Sequence, residues 1–129
     1  MNERRALQIA VAAGSLIPIG AGLAGVILGP AMIDAVGMPI PADSHYRYLS
    51  GLLLGIGIGF ATAIPAIERR TTRFRLLTAI VVIGGLGRLL SLLVRGVPDG
   101  PMLAALLMEL AVTPALALWQ SRVARQRVM

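Results

Sequence analysis

The chain has 129 residues, 57% of them hydrophobic and only 14% charged, with a formal net charge of +6 and no cysteine. Soluble domains carry roughly 25% charged residues, so a water-exposed surface of ordinary size is excluded, as are disulfides, thiolate catalysis and Cys-ligated metals. Excess positive charge suggests nucleic acid in a soluble protein, but the basic residues here are all arginines lying mostly outside the apolar runs. That placement points to a membrane, at a mean hydropathy of +0.81, and away from a nucleic-acid partner.

The length suits a single domain, 1–129, and four helices are predicted over about 6–28, 47–67, 76–94 and 101–122. The opening MNERRALQIAVAAG, with small residues following at Ala21 to Gly25, imitates a secretory signal. Its uncharged run, Ala6 to Leu28, is longer than the 7–15 residue core of such peptides, so it reads as the first span. Gly14, Pro18, Gly22, Gly25 and Gly29 recur there at three- and four-residue steps and share a face. The second uncharged run, Tyr48 to Ile67, repeats the pattern with Gly51, Gly55 and Gly59. Such small-residue faces let membrane helices approach closely. The string GIGIGF inside this run is read as packing, since no strand precedes it and no helix start follows, as a nucleotide loop requires.

Leu76 to Val94 has Arg88 as its only charge, and Pro101 to Ser121 has only Glu109. About 20 apolar residues cross a hydrocarbon core of about 30 Å. Lipid satisfies no free backbone group, so each run is expected to be a helix. The expected fold is an all-α membrane protein, a four-transmembrane-helix bundle.

Orientation follows from the arginines. Arg4 and Arg5 lie in the N-terminal tail, Arg69, Arg70, Arg73 and Arg75 between the second and third spans, and Arg122, Arg125 and Arg127 in the C-terminal tail. The other connections hold only Arg47 and Arg95, with Asp34, Asp43 and Asp99 nearby. Positive charge stays on the cytoplasmic side, so both termini are expected there, with 30–45 and 96–100 outside.

The two intramembrane charges then fall at one depth. Arg88 is seven residues from Arg95, roughly 10 Å in, and Glu109 eight residues from Pro101, roughly 12 Å in. An unpaired arginine costs on the order of 2.5–3.5 kcal/mol at the bilayer centre, so Arg88 is expected to meet Glu109. Ser91 and Thr113 share helix faces with those charges. Pro114 removes a backbone donor and frees the carbonyl of Leu110. Asp43, Ser44, His45, Tyr46, Arg47, Tyr48 and Ser50 gather at the same outer end, whereas the inner halves show nothing comparable. Tyr46, Tyr48 and Trp119 also suit interfacial anchoring, and Arg47 suits snorkelling.

The segments SHYRYLSG, GGLGRLLSL and MELAVTPALALWQ resemble bacterial membrane proteins of domain-of-unknown-function family 4345, short four-span proteins, and the resemblance covers nearly the whole chain. It implies a bacterial inner membrane and places His45, Tyr46, Arg47, Arg88, Ser91 and Glu109 at the family's polar positions. It implies no reaction.

The leading functional expectation is a polar pocket facing the periplasm that binds a small amphipathic or lipid-like molecule. His45, Tyr46, Arg47, Ser50, Arg88, Ser91, Glu109 and Thr113 are its candidate ligand-binding residues. Guanidinium groups suit an anionic headgroup. The alternative is an accessory, structural subunit of a larger membrane complex, with the charge pair fixing helix register. An enzyme using Glu109 or His45 as acid or base ranks below both, because no nucleophile motif, metal set or phosphate loop accompanies them. No catalytic residue, metal or cofactor is assigned. The expected partners are membrane lipids, the amphipathic ligand, and further copies or other subunits of a membrane complex.

Overall fold

A computed structural model describes all residues, 1–129, and is entirely helical. Helix α1 covers Glu3–Leu28 and runs into a short 3-10 turn, Gly29–Ile33. Helix α2 covers Ile40–Ala63 and tightens into a 3-10 segment, Ile64–Arg69. Helix α3 covers Thr71–Arg95. The fourth span is built from α4, Gly100–Leu107, a π turn, Met108–Val112, and α5, Thr113–Gln126. All four are long and apolar enough to cross a membrane. The protein is therefore an all-α, four-span membrane protein.

Local chemistry sets the ends. The Asn2 side chain accepts from the Arg5 amide at 2.9 Å and opens α1, as an N-cap should. Gly29, at φ +63°, closes it in the left-handed conformation, and Pro30 follows where the helix has to stop. Asp99 accepts from the Met102 amide at 3.0 Å and opens α4. Helix α2 begins at Ile40, seven residues ahead of the expected 47. Pro41 fits a first helical turn, where its missing N–H is no loss. Asp43 in the same turn faces the positive end of the helix dipole. The segment SHYRYLSG consequently lies within α2, and the connection outside the helix is shorter than 30–45.

The fourth span is not the uniform α-helix expected over 101–122. Pro114 has no N–H for the carbonyl four residues back, and the turn before it widens. The Thr113 amide reaches the Met108 carbonyl instead, and the Thr113 hydroxyl donates to that same oxygen at 2.7 Å. Single π turns of this kind interrupt α-helices at points of local strain or use.

The chain divides into two compact units, residues 9–64 and residues 1–8 with 65–129. In the first, α1 and α2 pack through glycine. A Cβ on Gly22 would fall 2.5 Å from the Leu54 backbone nitrogen, and one on Gly57 would fall 2.7 Å from Ile19 and 3.1 Å from Pro18. Gly22 and Gly57 are therefore sites of backbone contact that a side chain would prise apart. The expected α2 stripe is corrected here: Gly51 only touches Val26 at 3.9 Å, and Gly55 meets nothing within 4 Å. The packing glycine of GIGIGF is Gly57, about 200° around the helix from Gly55.

In the second unit α3 lies along α5 and the π turn. Leu7, Ile67, Phe74 and Val123 are buried there, and Gln120 is fully buried with them. The Gln120 amide donates to the Ile67 carbonyl at 2.8 Å and the Thr71 hydroxyl at 2.9 Å. One side chain thus pins the end of α5 to the connection that starts α3.

Candidate functional site

The expected site residues fall into the two units. Arg88, Ser91, Glu109 and Thr113 belong to one, and His45, Tyr46, Arg47 and Ser50 to the other.

Arg88 and Glu109 pair as the depth argument expects. Arg88 Nε donates to Glu109 Oε2 at 3.0 Å and Nη2 donates to Oε1 at 3.1 Å, a two-pronged bridge, while Nη1 lies 2.9 Å from Met102 Sδ. Paired, planar donation of this kind is the strong form of an ion pair. Two features bring the partners together. Gly85, one turn before Arg88, is buried directly against the Cβ of Glu109 and the side chain of Leu110. The π turn carries Glu109 itself. About a third of the Arg88 side chain and 18% of that of Glu109 remain uncovered. Thr113 does not join the pair, because its hydroxyl is held by its own backbone. Ser91 is exposed on α3 and its hydroxyl makes no hydrogen bond.

In the other unit Arg47 caps a helix. Its Nη1 donates to the carbonyls of Val26 at 2.7 Å and Ile27 at 3.0 Å, the last of α1, and its Nε donates to Asp43 at 2.9 Å. A cation on terminal carbonyls satisfies orphan acceptors and complements the dipole. The absence of a side chain on Gly29 makes the room: a Cβ there would lie 2.5 Å from Arg47 Nη2. Ser50 donates to the Tyr46 carbonyl at 2.9 Å and packs beneath Gly25. Asp43, Tyr46, Arg47 and Ser50 therefore form the α2 face turned to α1. His45 and Tyr48 stack on each other at 6.4 Å between ring centroids and are exposed, on another face. The structure does not bring His45 to Arg47.

The arginine-rich end holds polar structure that the sequence reading passed over. Arg4 bridges Glu68 at 2.9 Å and donates to the Pro65 carbonyl at 3.0 Å. Glu3 accepts from Arg122 at 3.1 Å and from Gln126 at 2.7 Å. Arg75 donates to Ser121 at 3.3 Å. Both termini and the second-to-third connection therefore meet at one end. Glu68 lies beyond Ile67, where the apolar run stops. A depression of about 360 Å³ opens beside Arg4, Glu68, Gln126 and Arg127, and another of about 260 Å³ lies under the 3-10 turn after α1, beside Pro30 and Met38. Neither is lined by Arg88 or Glu109. The signal that could have marked the arginine-rich end is the pairing of Glu3 and Glu68 with a surplus of arginines, which is visible in composition but not assignable to partners without the fold.

The chain matches a known family over most of its length. The sequence profile described as "Domain of unknown function (DUF4345)" matches residues 6–120, nearly the whole chain. The chain belongs to that family. Comparison with curated proteins and with solved structures finds no match. The DUF4345 match takes in the Arg88–Glu109 pair, the Arg47 cap and Gln120, and it stops before Arg122, Arg125 and Arg127.

Proposed function

We propose that this DUF4345 protein resides in a bacterial inner membrane, with its arginine-rich end in the cytoplasm, and serves as an accessory, structural subunit of a larger membrane assembly. The observation that carries this reading is that both arginines expected to hold a ligand are already paired inside the chain. Arg88 is taken up by Glu109 and Met102, and Arg47 by Asp43 and the end of α1. A guanidinium whose charge is already paired with a carboxylate has less to offer an anionic headgroup. That weighs against the amphipathic-ligand pocket, and Glu109 in a two-pronged bridge is poorly placed as an acid or base.

The face best suited to a neighbour is on α3. Its apolar window is only 6% buried and that of the fourth span 0%, and what distinguishes α3 is its row of small residues. Gly84 and Gly87 both face open space, with the exposed Ser91 one turn on. Three small residues at steps of three and four leave a shallow groove that a helix fills better than lipid tails do.

The cysteine-free sequence makes the test direct. A single Gly87→Cys variant in native membranes is oxidised or treated with a short thiol-reactive cross-linker. A covalent adduct with a second polypeptide of defined mass, absent from a Leu16→Cys control on α1, supports the reading. If Gly87→Cys gives no more adduct than Leu16→Cys, the α3 face meets lipid and the accessory-subunit reading falls.

A further inference from the structure

Charge at the arginine-rich end is unbalanced in a specific way. Nine arginines lie there, at positions 4, 5, 69, 70, 73, 75, 122, 125 and 127, against two carboxylates, Glu3 and Glu68. Both carboxylates are already engaged, Glu3 by Arg122 and Gln126, and Glu68 by Arg4. Arg5, Arg69, Arg70, Arg125 and Arg127 are exposed and make no side-chain hydrogen bond or contact ion pair within the protein. All five belong to one compact unit, residues 1–8 and 65–129. The Arg4–Glu68 and Glu3–Arg122 bridges draw the three segments that carry them together.

We propose that these five arginines form a docking surface for the phosphate headgroups of anionic phospholipids, binding them in preference to zwitterionic ones. Two features support lipid as the occupant. The arginines sit at the ends of membrane-crossing helices, where apolar segments give way to polar chain, and that is the level of lipid phosphates. Every basic residue is arginine and none is lysine. A planar guanidinium donates two parallel hydrogen bonds to a phosphate, whereas an ammonium acts as a point charge. Each juxtamembrane basic residue near an anionic surface strengthens attraction about fivefold at moderate salt, and five guanidiniums without a contact partner give a strong combined preference. The inference is independent of the subunit reading and of which face is cytoplasmic.

Trp119 is the only tryptophan. It lies on α5 next to the buried Gln120 and reports lipids bound near this end. The protein is reconstituted into vesicles of equal parts phosphatidylcholine and phosphatidylglycerol, with bromine on the chains of one lipid at a time. Both leaflets hold the same mixture, so insertion direction does not matter. At low salt, brominated phosphatidylglycerol is expected to quench Trp119 several-fold more effectively than brominated phosphatidylcholine. The preference should fade as sodium chloride is raised, because exposed charges are screened within about 10 Å at 0.1 M. Arg69→Gln, Arg70→Gln and Arg127→Gln combined should remove most of it, and Arg95→Gln at the opposite end should leave it intact. Equal quenching by the two lipids in the wild type overturns the proposal, and so does a preference that survives the triple change. Loss of the preference in sodium phosphate beyond that in chloride of equal ionic strength reassigns the surface to free phosphate. The salt series uses only the wild-type chain, so the proposal stays testable even if the triple variant misfolds.

Discussion

A Cβ on Gly85 would lie 2.8 Å from both the Glu109 Cβ and Leu110 Cδ2, whereas one on its neighbour Gly84 meets nothing within 4 Å. The two glycines look alike in GGLGRLLSLL, and their substitutions should diverge. Gly85→Ala forces α3 off the π turn, an overpacking defect of about 1–3 kcal/mol, and it loosens the Arg88–Glu109 bridge with it. Gly84→Ala should be neutral or slightly stabilising, since alanine restricts the unfolded chain and favours helix. Thermal unfolding in mild detergent separates them: a clear loss is expected for the first and none for the second, and equal losses would mean that α3 faces its partner differently. At the same scale, the sequence offers Arg47 as a ligand-binding or snorkelling group, whereas the structure makes it the cap of α1. Its i,i+4 relation to Asp43 is written in the sequence, but its two bonds to Val26 and Ile27 cross 21 and 20 positions. No local pattern encodes that α1 ends beside α2 at this level.

At the scale of helices, what was legible is what depends on depth and period, and what was hidden depends on azimuth. Counting residues at 1.5 Å each put Arg88 and Glu109 at one level, and the bridge forms there. Counting did not reveal which stripe of α2 meets α1, because Gly51, Gly55 and Gly57 are all small and only packing chooses between them. Nor did it reveal that Pro114 would produce a π turn; the missing N–H was evident, the widened backbone that satisfies Met108 was not. The start of α2 was missed because Asp43, Arg47 and the prolines read as a polar connection, although they also make a competent first turn and an intrahelical ion pair. The bridge between α3 and the π turn gives the element-scale prediction. Arg88→Leu or Glu109→Leu alone leaves an uncompensated charge among apolar helices and should cost about 3 kcal/mol, read as lower expression and lower thermal stability. The double change leaves two leucines in a lipid-compatible setting and should be milder than the sum of the singles. Additive losses would mean that the two side chains do not interact energetically, whatever their geometry.

For the molecule as a whole, the arginine distribution, the even number of spans and the bridges between the termini agree. Glu3 contacts Arg122 and Gln126, so the first turn of α1 and the last turns of α5 share an end with the connection that carries Arg69, Arg70, Arg73 and Arg75. The opposite connections carry Asp34 and Asp99, with Arg95 next to the latter. Since arginine is retained in the cytoplasm more effectively than acidic residues are exported, the end with nine arginines should lie inside. Single cysteines introduced into the cysteine-free chain provide the measurement. Val36 and Val97 are highly exposed in the two sparsely charged connections, and Met129 is exposed at the C-terminus. In spheroplasts treated with a membrane-impermeant maleimide, Val36→Cys and Val97→Cys should label at once. Met129→Cys and Arg70→Cys should label only after the membrane is permeabilised. Labelling of Met129→Cys from outside would invert the molecule and direct the arginine surface to the outer leaflet. Labelling of Met129→Cys and Arg70→Cys from opposite sides would break the shared end that the Glu3 and Arg4 bridges create.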